Sequence, residues 1–291
     1  MSIKAKRGFW LGVREVLFIA LTFVMMLPIY YLVITTFKTP YDATNHPLAL
    51  PAEWHFEGYL KAWQSMDYPH VFKNTLVITV LALGGMLILA AMASYVLARR
   101  KSRFNTVMFF VLLSGMMVPF QMSIMTQYKL VRALGLMNNI LSVVLIDIAV
   151  NLPMAILFMK NFISASVPVE IEEAAYIDGC SVWGAFFRVT VPLLRPVIAT
   201  LAVMNSIAIW NDFLTPLMFL QSKNSHTILL AVNSNVGRFS TNWTDMFPMM
   251  VLGVMPLVIF FLLMQKHIIK GLAEQGMAVL VVSSAVGSVK G

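Results

Sequence analysis

Residues 170–192 read Glu-Ile-Glu-Glu-Ala-Ala-Tyr-Ile-Asp-Gly-Cys-Ser-Val-Trp-Gly-Ala-Phe-Phe-Arg-Val-Thr-Val-Pro. Glu170, Glu172 and Glu173 suit the positive end of a helix dipole, and Gly179 supplies a C-terminal stop. Ser166 is a candidate N-cap, Pro168 is compatible with an early helical position, and Ser181 is placed to cap the next turn. A helix-turn-helix over 163–195 is expected. Apolar segments from Ile140 to Phe162 and from Pro196 to Leu220 flank it, each long enough to cross a bilayer. The polar knob therefore stands outside the hydrocarbon and separates two spans.

Composition agrees with a membrane protein. Hydrophobic residues make up 59% of the 291 and charged residues only 12%, against about 25% charged in soluble domains. Mean hydropathy is +0.80. Four more apolar runs, Val16 to Phe37, Val71 to Ala98, Phe104 to Thr126 and Phe247 to Lys266, bring the expected spans to six. An N-terminus inside puts fourteen Lys and Arg on the cytoplasmic side, including the cluster Arg99, Arg100, Lys101 and Arg103, against seven outside. The positive-inside rule then sets both termini in the cytoplasm. Residues 1–36 have the basic start of a signal peptide, but the apolar run is too long for an h-region and no small-x-small cleavage site follows it, so a retained span is expected.

Several function classes lose their basis. The net charge of +8 comes from basic residues gathered at membrane edges, where they orient the chain and meet anionic lipid; no nucleic-acid role is needed. Cys180 is the single cysteine, which excludes an internal disulfide. The five histidines show no ligand spacing and no Walker A motif is present, so neither a metal site nor ATP is expected on this chain. The 22 methionines lie mostly in apolar runs such as Met116-Met117 and Met249-Met250, where methionine packs adaptably rather than binding soft metals. Ala90, Ser94 and Ala98 form a small-xxx-small face, with intrachain helix packing the simpler reading. Residues 38–70, with four prolines and several aromatics, are expected to cap the outer surface, and 127–139 and 221–246 to be outer connections.

Glu173-Ala174-Ala175, Gly179 and Val189-Thr190-Val191-Pro192 together resemble the EAA loop of bacterial ABC-importer permeases. Val189 and Val191 replace the Ile and Leu usual there. Asn74-Thr75-Leu76, Val118-Pro119-Phe120-Gln121, Tyr128-Lys129-Leu130, Leu134-Gly135-Leu136, Leu193-Leu194-Arg195-Pro196 and Trp210-Asn211-Asp212-Phe213-Leu214 extend the likeness over most of the chain. They are similar to the carbohydrate importers, of the kind represented by the smaller maltose permease subunit. The resemblance implies an all-α, integral membrane fold with six transmembrane helices, N-in and C-in, as a single permease domain over 1–291, with a cytoplasmic coupling loop at 163–195 and a tail at 268–291. It implies coupling through Glu173, Ala174, Ala175, Asp178, Gly179 and Pro192 to separate ATPases. The expected partners are a second permease subunit, two ATP-binding subunits holding ATP and Mg, and an extracytoplasmic solute-binding protein. The tail departs from the family by about a dozen extra residues, including the apolar run Ala278 to Val282.

Polar side chains inside spans tend to face a bundle interior or a wet cavity. Asn151 and Asn205 fall near mid-depth; Asp147, Asn211 and Asp212 lie nearer the outer surface. Amides and carboxylates suit sugar hydroxyls, and Trp210 offers a face for a pyranose ring. Asn151, Asn205, Trp210, Asn211 and Asp212 are the pathway candidates. Helix-to-helix hydrogen bonding remains open for Asn151 and Asn205, as does a structural or gating contact for Asp212. Two alternatives stay open on function: an ABC permease for amino acids or peptides, and an ion-coupled secondary transporter in which Asp147 or Asp212 carries the ion.

Overall fold

The computed structural model describes the backbone of residues 3–236 and 242–263, with side chains over 11–235 and 242–263. The described residues are helical, and no strand occurs among them. In chain order the helices are α1 Ile3–Thr35, α2 Pro40–Asn45, α3 Glu57–Ser65, α4 Tyr68–Arg99, α5 Arg103–Ser114, α6 Phe120–Ala133, α7 Ile140–Ser166, α8 Val169–Ile177, α9 Val182–Ala185, α10 Val191–Leu193, α11 Arg195–Trp210, α12 Leu214–Phe219 and α13 Ile228–Val236. A further helix, α14, runs over Trp243–Leu263.

Among the described residues, four segments are long and apolar enough to span a bilayer: Leu11–Thr35 of α1, α4, α7 and α14. Two further spans are available only as bent pairs. Arg103–Met117 and Phe120–Ala133 meet at 103°, and Val182–Leu193 meets Arg195–Trp210 at 69°. The expected continuous helix from Phe104 to Thr126 is therefore broken. Pro119 lacks an N–H and disfavours helical geometry in the residue before it, and Val118 is extended, with φ −86° and ψ 114°. The span expected from Pro196 to Leu220 likewise ends as a helix at Trp210, and α12 follows as a separate short helix. The segments expected to be outer connections also hold helix: α2 and α3 lie within 38–70 and α13 within 221–246. Lys266, the tail at 268–291 and Arg238 lie outside the described residues.

The described parts of residues 1–69 with 231–255, and of residues 70–230 with 256–291, form two compact units. In the first, α1 exposes Phe18, Phe23 and Met25 along an apolar surface, as expected of a helix whose solvent is lipid. Gly58 is closely covered there. A Cβ at this position would stand 3.0 Å from the backbone oxygen of Thr244 and 3.1 Å from Pro248. Gly58→Val is expected to cost about 1–3 kcal/mol by overpacking, seen as a lowered unfolding midpoint; an unchanged midpoint would show that the 242–248 segment yields freely.

The second unit is held by two apolar clusters. One joins Met86, Ala90 and Tyr95 of α4 to Ala155, Ile156, Met159 and Ile163 of α7, and to Phe186 and Leu194 near the knob. The other joins Ile78 and Ala82 of α4 to Val143 and Val144 of α7, Ile209, Phe219 and Leu230. Ala90 and Ser94 are fully buried, and the Ser94 hydroxyl donates to the Ile156 carbonyl at 3.0 Å. The small-residue face of α4 is thus an intrachain contact with α7. Burial of α4 along this face fixes the helix that ends at Arg99, beside the knob.

Candidate functional site

The knob is built by local chemistry. Gly179 has φ +83°, the left-handed conformation that glycine adopts without a Cβ penalty. Its N–H donates to the Tyr176 carbonyl, and the Cys180 N–H donates to that of Ala175. This pair of bonds is a Schellman stop for α8. Ser181 then caps α9 as expected, its hydroxyl accepting from the Gly184 N–H at 3.2 Å. Ser166 does not cap α8. It belongs to the last turn of α7, and Pro168 occupies the cap position without a side-chain bond. Between α9 and α10 the chain makes a π-helical turn, Phe186–Thr190.

Rotation of about 100° per residue gives α8 two faces. Glu173, Ala174, Tyr176 and Asp178 are exposed, whereas Glu172 and Ala175 are buried. Pro192 is half-buried at the start of α10. Two of the residues expected to couple, Glu173 and Ala174, therefore lie on the outward face, with Asp178 and Gly179 exposed at the helix end.

Glu172 is the buried anchor, with 2% of its surface exposed. Its carboxylate accepts from Arg99 Nη2 at 2.9 Å and from Arg99 Nε at 3.1 Å. Thr190 Oγ1 donates to the same carboxylate at 2.9 Å, and the Tyr95 hydroxyl donates at 3.2 Å. Arg99 Nη2 also donates to the Val167 carbonyl at 2.8 Å. The Tyr95 and Tyr176 hydroxyls lie 3.0 Å apart, and the Tyr95 ring packs on Phe186 with centroids 5.1 Å apart. One carboxylate thus ties α8 to the end of α4 and to the π turn. A cavity of about 510 Å³ opens alongside, walled by Met92, Tyr95, Arg99, Tyr176, Trp183 and Phe186. Thr190→Val removes one donor while keeping the shape, and is expected to cost about 1 kcal/mol. A falling unfolding midpoint checks this; no change would mean that water or Arg99 takes over the bond.

The residues that complete this anchor are absent from the sequence-derived set, although Arg99 stands in the basic cluster and Thr190 in the loop motif. The available signal was the glutamate triplet itself. Three carboxylates within four positions of one helix cannot share one face.

The pathway candidates are dispersed. Asn151 is half-buried, and its Nδ2 donates to the Asp147 carbonyl at 2.8 Å. Asn205 Nδ2 donates to the Leu201 carbonyl, and Asn211 Nδ2 to that of Ile207, each at 2.9 Å. Trp210 is 8% exposed, with its ring edge-on to Phe72 at 6.0 Å between centroids. Asp212 Oδ1 accepts from the Thr215 N–H at 3.2 Å. A cavity of about 260 Å³ brings Asn151 and Asp212 together with Asp147, Gln121 and Thr215. Asn205, Trp210 and Asn211 are not in its wall.

Comparison with known proteins identifies the architecture. The family described as binding-protein-dependent transport system inner membrane component matches residues 86–274. Melibiose/raffinose/stachyose import permease protein MelC of Bacillus subtilis is 30% identical over 248 residues, covering 85% of this chain and 90% of that protein. Diacetylchitobiose uptake system permease protein DasC of Streptomyces coelicolor is 31% identical over 260 residues, covering 88% and 92%. The fold matches a chain in the crystal structure of a bacterial ABC transporter involved in the import of the acidic polysaccharide alginate, with TM-score 0.80 and 23% identity over 91% of this chain and 98% of that one. The chain belongs to the binding-protein-dependent transport system inner membrane component family: it is a multi-pass permease subunit of the inner membrane and not an enzyme.

Proposed function

We propose that this chain is one permease subunit of an ATP-driven importer for a sugar or oligosaccharide. It works with a second permease, with two ATP-binding subunits that hold ATP and Mg, and with an extracytoplasmic solute-binding protein. The observation that carries the reading is the two-faced α8. Glu173 and Ala174 are exposed on one side, and Glu172 is bonded to Arg99 at the end of a 32-residue helix on the other. A helix exposed outward and tied inward by a buried ion pair can pass a push from a docked subunit to a membrane span. The names of the relatives favour carbohydrate over amino acids or peptides.

In this reading the chain is a single permease domain that crosses the membrane six times with both termini in the cytoplasm. The bent pair Arg103–Met117 with Phe120–Ala133 supplies span three, α11 with α12 supplies span five, 163–195 is the coupling loop, and 268–291 is a cytoplasmic tail. Closure of the nucleotide-bound ATPases moves the segment from Glu173 to Gly179, with Ala175 and Pro192 packed behind it. The Glu172–Arg99 contact carries the displacement to α4, and the spans open toward the binding protein.

Asn151, Asn205, Trp210, Asn211 and Asp212 border the route of the sugar. Asn151→Ala and Asn205→Ala are each expected to slow uptake about tenfold, equivalent to ~1.4 kcal/mol of lost interaction, while the complex still assembles. Uptake into proteoliposomes, read beside size-exclusion profiles, tests this; loss of assembly alone would remove both residues from the route.

A further inference from the structure

The cavity of about 510 Å³ beside the knob has walls of two kinds. Met92 and Val96 of α4 and Phe186 of the π turn are apolar, whereas Arg100, Tyr176 and Trp183 carry hydrogen-bond donors. Met92 lies about 10 Å along the helix from Arg99, so the α4 wall descends from the basic end of the span toward the hydrocarbon. Among the described residues, no Asp or Glu lines the cavity. Arg99 is engaged by Glu172 and by the Val167 carbonyl. No ion pair among the described residues engages Arg100, which is exposed with Lys101 and Arg103 just beyond it.

Depth and charge together select the occupant. A soluble subunit docked on the knob stays outside the hydrocarbon and leaves the Met92 end of the cavity unfilled. A second apolar helix would cover Met92 and Val96 but would strip water from Arg100 without bringing an anion, which is costly. An amphiphile with an anionic head and an acyl tail meets both demands: a phosphate accepts from the guanidinium while the tail covers the apolar wall. Trp183 is 60% exposed, and tryptophan collects at the level of lipid headgroups. Basic pockets at the cytoplasmic ends of spans hold anionic headgroups by this chemistry.

Resting on the importer reading above, which puts the knob at the cytoplasmic surface, we infer that this cavity binds one anionic phospholipid, with its phosphate on Arg100 and an acyl chain along Met92, Val96 and Phe186. The lipid bridges α4 and α9 next to the Arg99–Glu172 pair and so braces the contact between the knob and its span.

Photolabelling of the intact complex, purified from its native membrane and placed in phosphatidylcholine nanodiscs, tests the site. The probes are phosphatidylglycerol and phosphatidylcholine, each with a diazirine in the acyl chain, and the labelled positions are mapped by mass spectrometry. Labelling within 92–96 and 182–187 is expected to be about fivefold greater with phosphatidylglycerol, the preference that one basic residue confers for an anionic lipid. Arg100→Gln is expected to remove that preference, and Arg103→Gln, which lies outside the wall, to retain it. Equal labelling by the two lipids, or no labelling of the cavity by either, would overturn the inference. So would a loss as large in Arg103→Gln, which would assign the preference to the basic cluster as a whole. Displacement of phosphatidylglycerol by inorganic phosphate at matched ionic strength would also overturn it, by making the site one for a free anion. Recovery of an ATPase with the complex is scored separately. An ATPase recovered without selective labelling refutes the lipid site alone, whereas a lone chain that is still selectively labelled refutes the importer reading and leaves the lipid site standing.

Discussion

Glu172→Ala is expected to destabilise the chain by about 3–5 kcal/mol, the range for removing one partner of a buried ion pair. The Arg99 side chain is only 15% exposed and that of Glu172 only 3%, so the guanidinium left behind has little water to replace the lost carboxylate. Thr190 Oγ1 and the Tyr95 hydroxyl lose their acceptor at the same time. Arg99→Ala is expected to be similarly damaging, because the carboxylate then stays buried with only neutral donors. Removing both charges together, as Arg99→Met with Glu172→Leu, is expected to recover much of the stability, since apolar replacement of a whole buried pair is often near neutral. That double variant separates folding from coupling. It is expected to fold and insert but to hydrolyse ATP without moving substrate, because α8 no longer holds α4. Thermal unfolding of the detergent-solubilised complex, with uptake measured in proteoliposomes, checks both parts; full uptake by the double variant would exclude the ion pair from force transmission.

The second large effect is expected at Gly179→Pro. Proline fixes φ near −65°, whereas this position has φ +83°, and the substitution removes the N–H that donates to Tyr176. The stop of α8 cannot form, at a local cost of about 3 kcal/mol or more. Open space surrounds the position, and a Cβ added there would meet nothing within 4 Å. Gly179→Ala is therefore expected to cost only the left-handed strain of about 1–2 kcal/mol. The order wild type, then Ala, then Pro should appear in ATPase recovered per permease. Equal recovery from all three would mean that the angle between α8 and α9 is irrelevant to docking.

The parts legible in sequence were those governed by neighbours along the chain. Gly179 and Ser181 announce the knob because a left-handed stop and an N-cap need only local residues, and both form. The long apolar runs announce α1, α4, α7 and α14 for the same reason. Hydropathy averages over some twenty positions, so the break at Val118-Pro119 was lost inside an apolar run even though Pro119 was in plain sight. Pairings across distance were not legible. Glu170, Glu172 and Glu173 look equivalent as letters, and only the arrival of Arg99, 73 positions away, selects Glu172 as the buried one. Asp147 and Asp212 stand far apart in sequence, and only the packing of α11 on α7 turns two isolated carboxylates into one cavity wall.

Docking of a separate ATPase on the exposed face of α8 is the step on which the importer reading depends. The most direct test is to purify the tagged chain from its native membrane with the wild-type sequence, with Glu173→Ala and with Gly179→Pro, measuring ATP hydrolysis in each. An ATPase recovered with the wild type and lost from both variants, while the chain itself remains folded, is the predicted result. A folded wild-type chain recovered with no ATP hydrolysis, or variants that retain it in full, would contradict the claim.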